Sequence, residues 1–471
     1  MTITGLHFFI FAAITWTIYY LSPRKYQNAI LLAASLGFIA SWNFQSVVLL
    51  VGLTVVNYLL ARLISRENKN SNIQVYSGIA VNVVALFILK YGSPSGLLKD
   101  GWLLLVPIGL SFYVVQAIAY LIDLNRGVVK FISNPVDFAL FMLYFPKMVS
   151  GPIERVGNFL PHLHERRDLD LTNYPEYFVL VIQGLMRKLV IANLLFLILP
   201  TNLFQNPLEY TASELVLWLI AYSFAIYNDF AGYTSIARGV SGFFGIPLSK
   251  NFNLPYFSKN PNEFWQRWHI TLSEWLRDYI FFPTTRFLLK KKISRTHAIS
   301  IILPPMMTML VSALWHGVSW HMLLWGGMHG IYLVGERLWF LYQPQNADAA
   351  PSRLQSIASQ VLIFILVSLA WVPFNADVSA TFQYIGAMLS PQNWITALSS
   401  VNASFILFAL DVTFLVGLSL TLDVLQKRFG ELMILRTPIV VQALVINIAV
   451  WLLVIANMAT HAPPPFVYQG F

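Results

Sequence analysis

The 471-residue sequence contains no cysteine and few charged residues. Without cysteine the chain has no disulfide, no thiolate metal ligand and no thiol nucleophile, so covalent catalysis would need another residue. Charged residues make up 11% of the chain, against about a quarter in soluble domains. Hydrophobic residues make up 57%, and no polar block is long enough to fold separately. The composition predicts an integral membrane protein that forms one polytopic unit.

Motifs of several enzyme classes are also missing. The chain has no G-x-S-x-G nucleophile elbow and no H-E-x-x-H zinc motif. The glycine series Gly239, Gly242 and Gly245 lacks the Lys-Ser/Thr pair and the preceding strand of a phosphate loop. The net charge of +9 is spread over short loops between apolar segments, which is typical of a positive-inside bias and not of nucleic-acid binding.

Apolar segments recur along the whole chain. They predict an all-α, polytopic membrane protein with about eleven or twelve membrane helices, some of them re-entrant, around a central polar cavity or tunnel. The single predicted domain, residues 1–471, divides into N-terminal spans (1–130), a core (131–345) and C-terminal spans (346–471). The predicted apolar segments lie near residues 6–21, 27–43, 45–63, 74–90, 102–122, 174–204, 212–233, 299–314, 320–334, 355–373, 403–424 and 437–457.

Some segments depart from a simple span. Residues 143–161 are interrupted by three prolines and two glycines, which favours a re-entrant turn or an irregular segment buried in protein. Residues 174–204 carry Arg187 and Lys188 in their middle, so they form either two short pieces or one helix with these charges at an interface. Asp229 is expected at the end of a span, where it is either solvated or part of a polar site.

The strongest orientation signal lies between Gly242 and Ala298, where nine Lys or Arg stand against three Asp or Glu. This excess predicts a cytoplasmic loop. Arg24 and Lys25 likewise place the end of the first span in the cytoplasm, with the N-terminus outside.

One amphipathic helix is predicted within this loop. Asn260 is placed to cap it, Pro261 fits its first position, and Glu263 stands where a capping-box acid reaches back. Because it carries several charges in about 20 residues, inserting it across the hydrocarbon core of the membrane would be energetically unfavourable. We therefore expect it on the membrane surface or folded back into the protein's own cavity. Its predicted apolar side comprises Phe264, Trp265, Trp268, Leu272, Trp275, Leu276 and Tyr279, and its charged side Arg267, Glu274 and Asp278.

Five of the nine histidines fall between residues 251 and 330. A single buried histidine is most often a core residue that donates to a carbonyl, but imidazoles at membrane depth usually face a polar cavity. His316 separates two apolar segments, and His269 borders the apolar side of the predicted helix. His321 and His329 are eight residues apart, about 12 Å along a helix and too far to chelate one metal, so no metal site is predicted. A neutral imidazole in a partly desolvated pocket fits a general base that takes a proton from a hydroxyl.

Short motifs occur in a specific combination. The central motifs are FWQRWH (264–269), WLRDY (275–279), LWHG (314–317), Trp325-Gly326 and His329-Gly330, and the others are PIGLSFY (107–113), YFP (144–146), GPIER (151–155), YNDFAGY (227–233), Asn251-Phe252 and Pro255-Tyr256. This combination resembles the membrane-bound O-acyltransferase (MBOAT) family. Within that family the chain is most similar to the alginate O-acetyltransferase branch of bacterial polysaccharide acetylases.

The resemblance implies roles for individual residues. The catalytic histidine of the family's WHG motif corresponds to His316, which we expect to be the general base. The histidine that closes the RWH motif corresponds to His269, which we expect to orient the donor or support His316. The predicted substrate-binding or cavity residues are Trp265, Arg267, Arg277, Asp278, Asn228, Asp229, Trp315, His321 and His329. The chain departs from the family pattern at Arg187-Lys188, Ser235 and His321, so the substrate stays open.

By the same resemblance, the activity would be acetyl transfer from a cytoplasmic thioester donor, acetyl-CoA or an acyl carrier, toward hydroxyls of an exported polysaccharide. No bound cofactor is expected. A periplasmic or membrane-anchored hydrolase-like acetyl carrier would complete the reaction, because the sequence holds no soluble Ser-His-Asp domain. The expected location is the cytoplasmic (inner) membrane, in contact with its lipids.

Two alternatives stay open at the level of the sequence. A D-alanyl transferase acting on teichoic acid would show the same histidine pair. A non-enzymatic transporter with a polar midplane would show an internal hydropathy repeat between its halves, and none is visible.

Overall fold

A computed structural model describes residues 1–66, 72–91, 107–165, 167–342, 352–399 and 402–459, and these residues form helices and no strand. The N-terminal helices are α1 (Leu6–Leu21), α2 (Arg24–Ala40), α3 (Phe44–Arg66), α4 (Asn72–Tyr91) and α5 (Leu110–Asn125). They are followed by α6 (Pro135–Leu143), α7 (Phe145–Met148), α8 (Val156–His164), α9 (Tyr174–Leu185), α10 (Asn193–Ile198) and α11 (Ala212–Phe243). The next helices are α12 (Pro261–Arg267), α13 (Ile270–Leu276), α14 (Phe282–Lys290), α15 (Ala298–His316) and α16 (Trp320–Tyr342). The last are α17 (Arg353–Asn375), α18 (Val378–Leu389), α19 (Pro391–Ser399), α20 (Ala403–Phe429) and α21 (Ile439–Ala459).

Eight helices of the described ranges are long and apolar enough to cross a membrane. They are α3, α4, the run from α9 to α10, α11, α15, α17, α20 and α21. Two further apolar helices, α1 and α5, are shorter than a full span. The start of the predicted span at 102–122 lies outside the described residues, and its described part is α5. The described residues therefore form an all-helical membrane protein with eight candidate spans, and the predicted count of eleven or twelve, some of them re-entrant, stays a prediction.

The most deeply buried span is α11, which forms the centre of the fold. It begins with a capping box in which Thr211 and Glu214 exchange hydrogen bonds. Helix α9 crosses it so closely that a Cβ atom on Gly232 would come 2.7 Å from the Gly184 carbonyl oxygen, so glycine is needed at this contact. Helices α7, α17, α18, α19 and α20 also pack against α11. Asp229 lies within this helix, fully buried, and not at the end of a span as expected.

The run from α9 to α10 matches the single-helix alternative in its backbone, but its two charges are buried inside the protein. It is one continuous helical run with a π-helical segment, Met186–Ala192, in its middle. Arg187 and Lys188 are buried in that segment, where Arg187 pairs with Asp423 of α20 and Lys188 pairs with Asp229. Each cation can lie inside the protein because a buried carboxylate faces it.

Residues 143–161 do not form a straight span: the short helices α7 and α8 are joined by non-helical backbone, and most of these residues are buried. This agrees with the predicted irregular segment buried in protein. These residues pack on the start of α5, where Gly109 has a left-handed backbone conformation (φ 73°). A Cβ atom on Gly109 would come 1.9 Å from the Met148 carbonyl oxygen, so the close packing of the two segments requires glycine. The Lys147 ammonium donates to the Gln116 side chain (2.5 Å) and to the Phe141 carbonyl (2.7 Å), so its charge is hydrogen-bonded within the core.

Candidate active site

The helix predicted to run from Pro261 to Tyr279 is interrupted at His269. It begins as expected, with the Asn260 side chain accepting from the Glu263 N–H at 2.7 Å. Helix α12 then ends, and His269 adopts φ 42° and ψ 55°, in the left-handed region, before α13 begins. This conformation costs a non-glycine residue on the order of 1–3 kcal/mol, so it persists only where the surroundings hold it. The apolar periodicity continues across the break, which is why the sequence predicts one helix.

Asn251 holds the break in place. Its backbone carbonyl accepts from the Ile270 N–H at 2.9 Å. Its side-chain oxygen accepts from the Thr271 hydroxyl at 2.7 Å and from the Thr271 N–H at 3.2 Å. The Thr271 hydroxyl oxygen accepts in turn from the Ile153 N–H at 2.9 Å. These bonds satisfy N–H groups that the start of a helix leaves without an intrahelical partner, and they fix the neighbouring His269.

His269 is buried among aromatic rings, with 1% of its surface exposed. The Phe230 ring meets the imidazole edge-on at 4.8 Å between centroids, and the Phe112 ring stacks on it at 5.9 Å. Burial lowers the pKa of His269 to about 3. The imidazole is therefore neutral at physiological pH.

His316 is the last residue of α15 and is also buried. The Lys90 ammonium of α4 donates to the carbonyls of Trp315 and His316, at 3.2 and 3.0 Å. Carbonyls at the end of a helix lack intrahelical donors, so Lys90 satisfies them and holds the peptide that carries His316. The Trp315 indole N–H donates to the Ser111 carbonyl of α5 at 3.0 Å, which fixes the end of α15 from a second side.

The structure brings His316 and His269 together across Trp315. The Trp315 ring lies 4.7 Å from the His316 ring and 6.1 Å from the His269 ring, centroid to centroid. The His316 ring also contacts Trp325 at 5.1 Å and Phe374 at 5.3 Å. The two predicted catalytic residues therefore share one aromatic environment, although 47 positions separate them in the chain (316 − 269).

His329 belongs to the same cluster. Its ring lies 5.1 Å from Trp325 and 5.0 Å from Trp265, so it connects the surroundings of His316 to α12. Its Nε2 atom is buried and has no hydrogen-bond partner among the described residues. His321 is placed differently: its Nδ1 atom lies 2.9 Å from the Pro373 carbonyl oxygen, which ties α16 to α17.

Three of the predicted cavity residues are ion-paired and partly exposed, Arg267 on α12 and Arg277 and Asp278 in the π-helical segment that follows α13. Arg267 pairs with Glu263 at 2.8 Å, one helical turn away. Arg277 contacts Asp278 at 3.1 Å, and Asp278 also contacts Arg155 at 3.2 Å. None of these pairs includes one of the clustered histidines.

Asn228 and Asp229 lie on α11 in the buried polar network with Arg187 and Lys188. The Asn228 side chain accepts from Arg187 at 2.9 Å and donates to the Ser419 hydroxyl at 2.8 Å. Their neighbour Phe230 is the residue of this motif that contacts His269. The motif therefore supports the site through helix packing, and its polar side chains tie α11 to the π-helical segment and to α20.

A cavity of about 700 Å³ opens beside the histidines, between α12–α14 on one side and α15–α16 on the other. Its wall includes Trp265, Ile270 and Arg277, with Glu336 and Arg337 opposite. None of the histidines in the described part of the chain lines this cavity. Trp265 lines the cavity and contacts His329, so the cavity lies next to the histidine cluster. The predicted central polar cavity or tunnel stays a prediction.

The arrangement suits proton transfer to or from a neutral imidazole. His316 is held at the end of α15 by the Lys90 contact to its carbonyl and is shielded by the rings of Trp315 and Trp325. A hydroxyl that reaches His316 would find a base away from bulk water, and general-base catalysis of this kind contributes about 10²–10⁴ in rate. Within the described ranges no group of three His, Asp or Glu side chains is placed to hold a metal ion.

Sequence reasoning missed Lys90 and the role of Asn251. Lys90 ends an apolar segment and looks like any positive-inside residue, and only the fold brings it to the end of α15. Asn251 carried a signal, because the Asn251-Phe252 pair is one of the motifs that the chain shares with the family it resembles. Asn251 holds His269 in place through its hydrogen bonds to Ile270 and Thr271. These are contacts between segments distant in the chain, and hydrophobic periodicity cannot predict them.

Comparison with known proteins agrees with the motifs. The family model of membrane-bound O-acyltransferases matches residues 35–376. A probable alginate O-acetylase of Azotobacter vinelandii is 31% identical over 420 residues, covering 85% of this chain and 79% of the relative. A peptidoglycan O-acetyltransferase of Helicobacter pylori is 29% identical over 419 residues, covering 79% and 76%. A teichoic acid D-alanyltransferase of Bacillus subtilis is 26% identical over 379 residues, covering 75% and 92%.

The family match spans most of the chain and contains both histidines of the candidate site. It decides between the two classes that the sequence analysis left open, an enzyme and a transporter. The chain belongs to the membrane-bound O-acyltransferase family and is an O-acyltransferase of the membrane.

Proposed function

We propose that this enzyme transfers an acetyl group from a thioester donor at the cytoplasmic face to an acceptor hydroxyl, from which a partner protein carries it to hydroxyl groups of an exported polysaccharide. The observation that carries the proposal is the placement of His316, buried at the end of α15, held there by Lys90 and close to a large cavity. The O-acetylation of alginate and of peptidoglycan, after which the relatives are named, supports acetyl as the group and a polysaccharide as the acceptor.

In the proposed reaction His316 takes the proton of the acceptor hydroxyl. The hydroxyl oxygen attacks the thioester carbonyl carbon, the C–S bond of the resulting tetrahedral intermediate breaks, and the thiolate takes the proton back from His316. The products are an acetyl ester and a free thiol. This direct route needs no enzyme thiol, which agrees with a chain without cysteine. His269 orients the donor or supports His316 in this scheme.

The cavity of about 700 Å³ is the proposed entrance for the donor, acetyl-CoA or an acyl carrier. Its wall carries both signs of charge, with Arg277 and Arg337 beside Glu274 and Glu336, and Trp265 forms its inner end next to the histidine cluster. The excess of basic residues between Gly242 and Ala298 supports a cytoplasmic position for its mouth.

The proposal includes a location and partners. The location is the cytoplasmic (inner) membrane, with shorter helices such as α1 and α5 adding to the eight candidate spans. On the far side, a periplasmic or membrane-anchored hydrolase-like protein carries the acetyl group onward to the polymer.

The experiment is a deletion strain analysed by mass spectrometry of its extracellular polysaccharide. Loss of acetyl groups, restored by the wild-type gene but not by His316→Gln, is the expected result. Unchanged acetylation would contradict the proposal, and loss of D-alanyl groups from teichoic acid would replace it with the alternative activity.

A further inference from the structure

A second cavity, of about 340 Å³, lies where α14 meets the beginning of α15 and the C-terminal half of α16. Three arginines, Arg286, Arg295 and Arg337, line it, and the described wall contains no acidic side chain. It shares Phe281, Phe282 and Arg337 with the large cavity, so the two are neighbours with a common partition. A concave site with only positive charges favours an anion.

Arg337 is fixed at this partition. Its Nη1 atom donates to the carbonyls of Ser300 and Ile301, at 3.1 and 3.0 Å. Its guanidinium also lies over the Phe281 ring, 5.3 Å from the centroid. The hydrogen bonds of one nitrogen and the contact with the ring fix the orientation of the guanidinium. Its remaining N–H donors are therefore already oriented before a ligand binds.

Ser300 provides an independent sign of a ligand. The residue lines the cavity and is 5% exposed, yet its hydroxyl has no hydrogen-bond partner among the described residues. A buried hydroxyl normally finds a partner because leaving it without one is costly. An oxygen-rich anion in the cavity would accept a hydrogen bond from it.

The surroundings of the cavity are apolar and exposed. Phe282, Phe287 and Ile299 are 40%, 58% and 40% exposed. The cavity also lies at the first turn of the candidate span α15, which places it at the boundary between hydrocarbon and water. A soluble anion would gain nothing from these side chains, whereas the acyl chains of a lipid would cover them.

We propose that this cavity binds the phosphate group of an anionic phospholipid, with the acyl chains lying against the exposed apolar side chains beside it. Arg286 and Arg295 neutralise the phosphate, and Arg337 and Ser300 donate hydrogen bonds to it. Because Arg337 and Phe281 also belong to the large cavity, the bound lipid stabilises that cavity's outer wall. The inference does not rest on the acceptor or donor proposed above.

The test uses the full-length protein in nanodiscs of phosphatidylcholine, with and without phosphatidylglycerol. We expect phosphatidylglycerol to raise the melting temperature and to stay bound in native mass spectrometry, and Arg286→Gln/Arg295→Gln to lose both effects. The control Arg353→Gln/Arg436→Gln removes two exposed arginines elsewhere and should keep both effects. If the double variant is not recovered folded, Arg295→Gln alone, in an exposed loop, serves the same comparison.

If both double variants lose the lipid effects equally, the lipid is attracted to the charged surface as a whole, and the proposed binding site is wrong. A second result would also overturn the proposal. If CoA raises the melting temperature through Arg286 and Arg295 while phosphatidylglycerol has no effect, the cavity binds the phosphates of the donor. Neither result bears on acetyl transfer itself, because the deletion experiment does not depend on the lipid.

Discussion

His269 couples the stability of the protein to pH. Burial lowers its folded-state pKa to about 3, while the unfolded chain takes up the proton near the ordinary value of 6.5. Between these values the unfolded state holds one more proton, so the free energy of unfolding falls as the pH falls. Above about pH 6.5 both states are neutral at this position, and the contribution no longer changes.

We expect His269→Gln to reduce the loss of stability in acid. Between pH 7 and pH 5 this residue accounts for at most about 2 kcal/mol of the wild-type decrease, and the variant lacks that part. Thermal unfolding in detergent at several pH values measures the difference. His7→Gln changes an exposed histidine of α1 and should keep the wild-type slope. Identical slopes for wild type and His269→Gln would contradict a buried, neutral imidazole.

Lys90 is a positioning residue for His316 and acts through the two carbonyls that it caps. In Lys90→Met both carbonyls lose their ammonium donor, and a hydrogen bond to a charged group contributes about 1.5–3 kcal/mol. We expect kcat to fall about 10- to 100-fold with little change in the KM of the donor, because the cavity wall does not include Lys90. Lys90→Arg, which can still donate to both carbonyls, should recover much of the rate. A loss that appears only in KM, or no recovery with arginine, would contradict the positioning role.

At the scale of elements, the break between α12 and α13 depends on one hydroxyl as well as on Asn251. The Thr271 hydroxyl donates to Asn251 and accepts from the Ile153 N–H, so it joins three segments at the position next to His269. The break is therefore a tertiary feature, and its local sequence favours a continuous helix.

Thr271→Val removes the hydroxyl at nearly constant volume and leaves the Ile153 N–H without its acceptor. We expect a loss of stability of about 1–3 kcal/mol and a lower transfer rate, since the constraint on His269 is weakened. Thr271→Ser keeps the hydroxyl and serves as the matched control. Melting temperatures and rates of the two variants, measured side by side, check this. Wild-type behaviour of Thr271→Val would show that Asn251 alone is sufficient.

Which elements the sequence could predict depends on where their determinants lie. The start of α12 was predictable because Asn260 and Glu263 are neighbours in the chain, and the buried apolar side was predictable because Phe264, Trp268 and Leu272 follow helical spacing. The break at His269 was not predictable, because its bonds come from a residue about 20 positions away, outside any helical window.

At the scale of the whole molecule, the same distinction explains the buried charges. Arg187 looked out of place in a membrane span, and its partner Asp423 lies 236 positions away. The positions of His316 and His269 in one site were inferred from the resemblance to a family, since neither composition nor periodicity places residues of different helices side by side. Lys90 has no such motif, and the structure alone connects it to the site.

The orientation of the molecule is a further prediction, drawn from the charge excess between Gly242 and Ala298. Because the chain has no cysteine, Lys291→Cys introduces the only thiol. We expect an impermeant maleimide to label it only after the cells are opened. Labelling of intact cells would place this loop outside and move the mouth of the large cavity to the wrong side for a cytoplasmic donor.

The central claim is that His316 removes the proton of the acceptor hydroxyl. The most direct measurement compares the transfer of labelled acetyl to polysaccharide in membranes of the native host that contain wild type, His316→Gln or His321→Gln at equal protein levels. Glutamine keeps a hydrogen-bonding group but cannot act as the base, so we predict a loss of about 10²–10⁴ for His316→Gln. His321→Gln, whose amide can still donate to the Pro373 carbonyl, should remain near wild type. Near-normal transfer by His316→Gln would contradict the account.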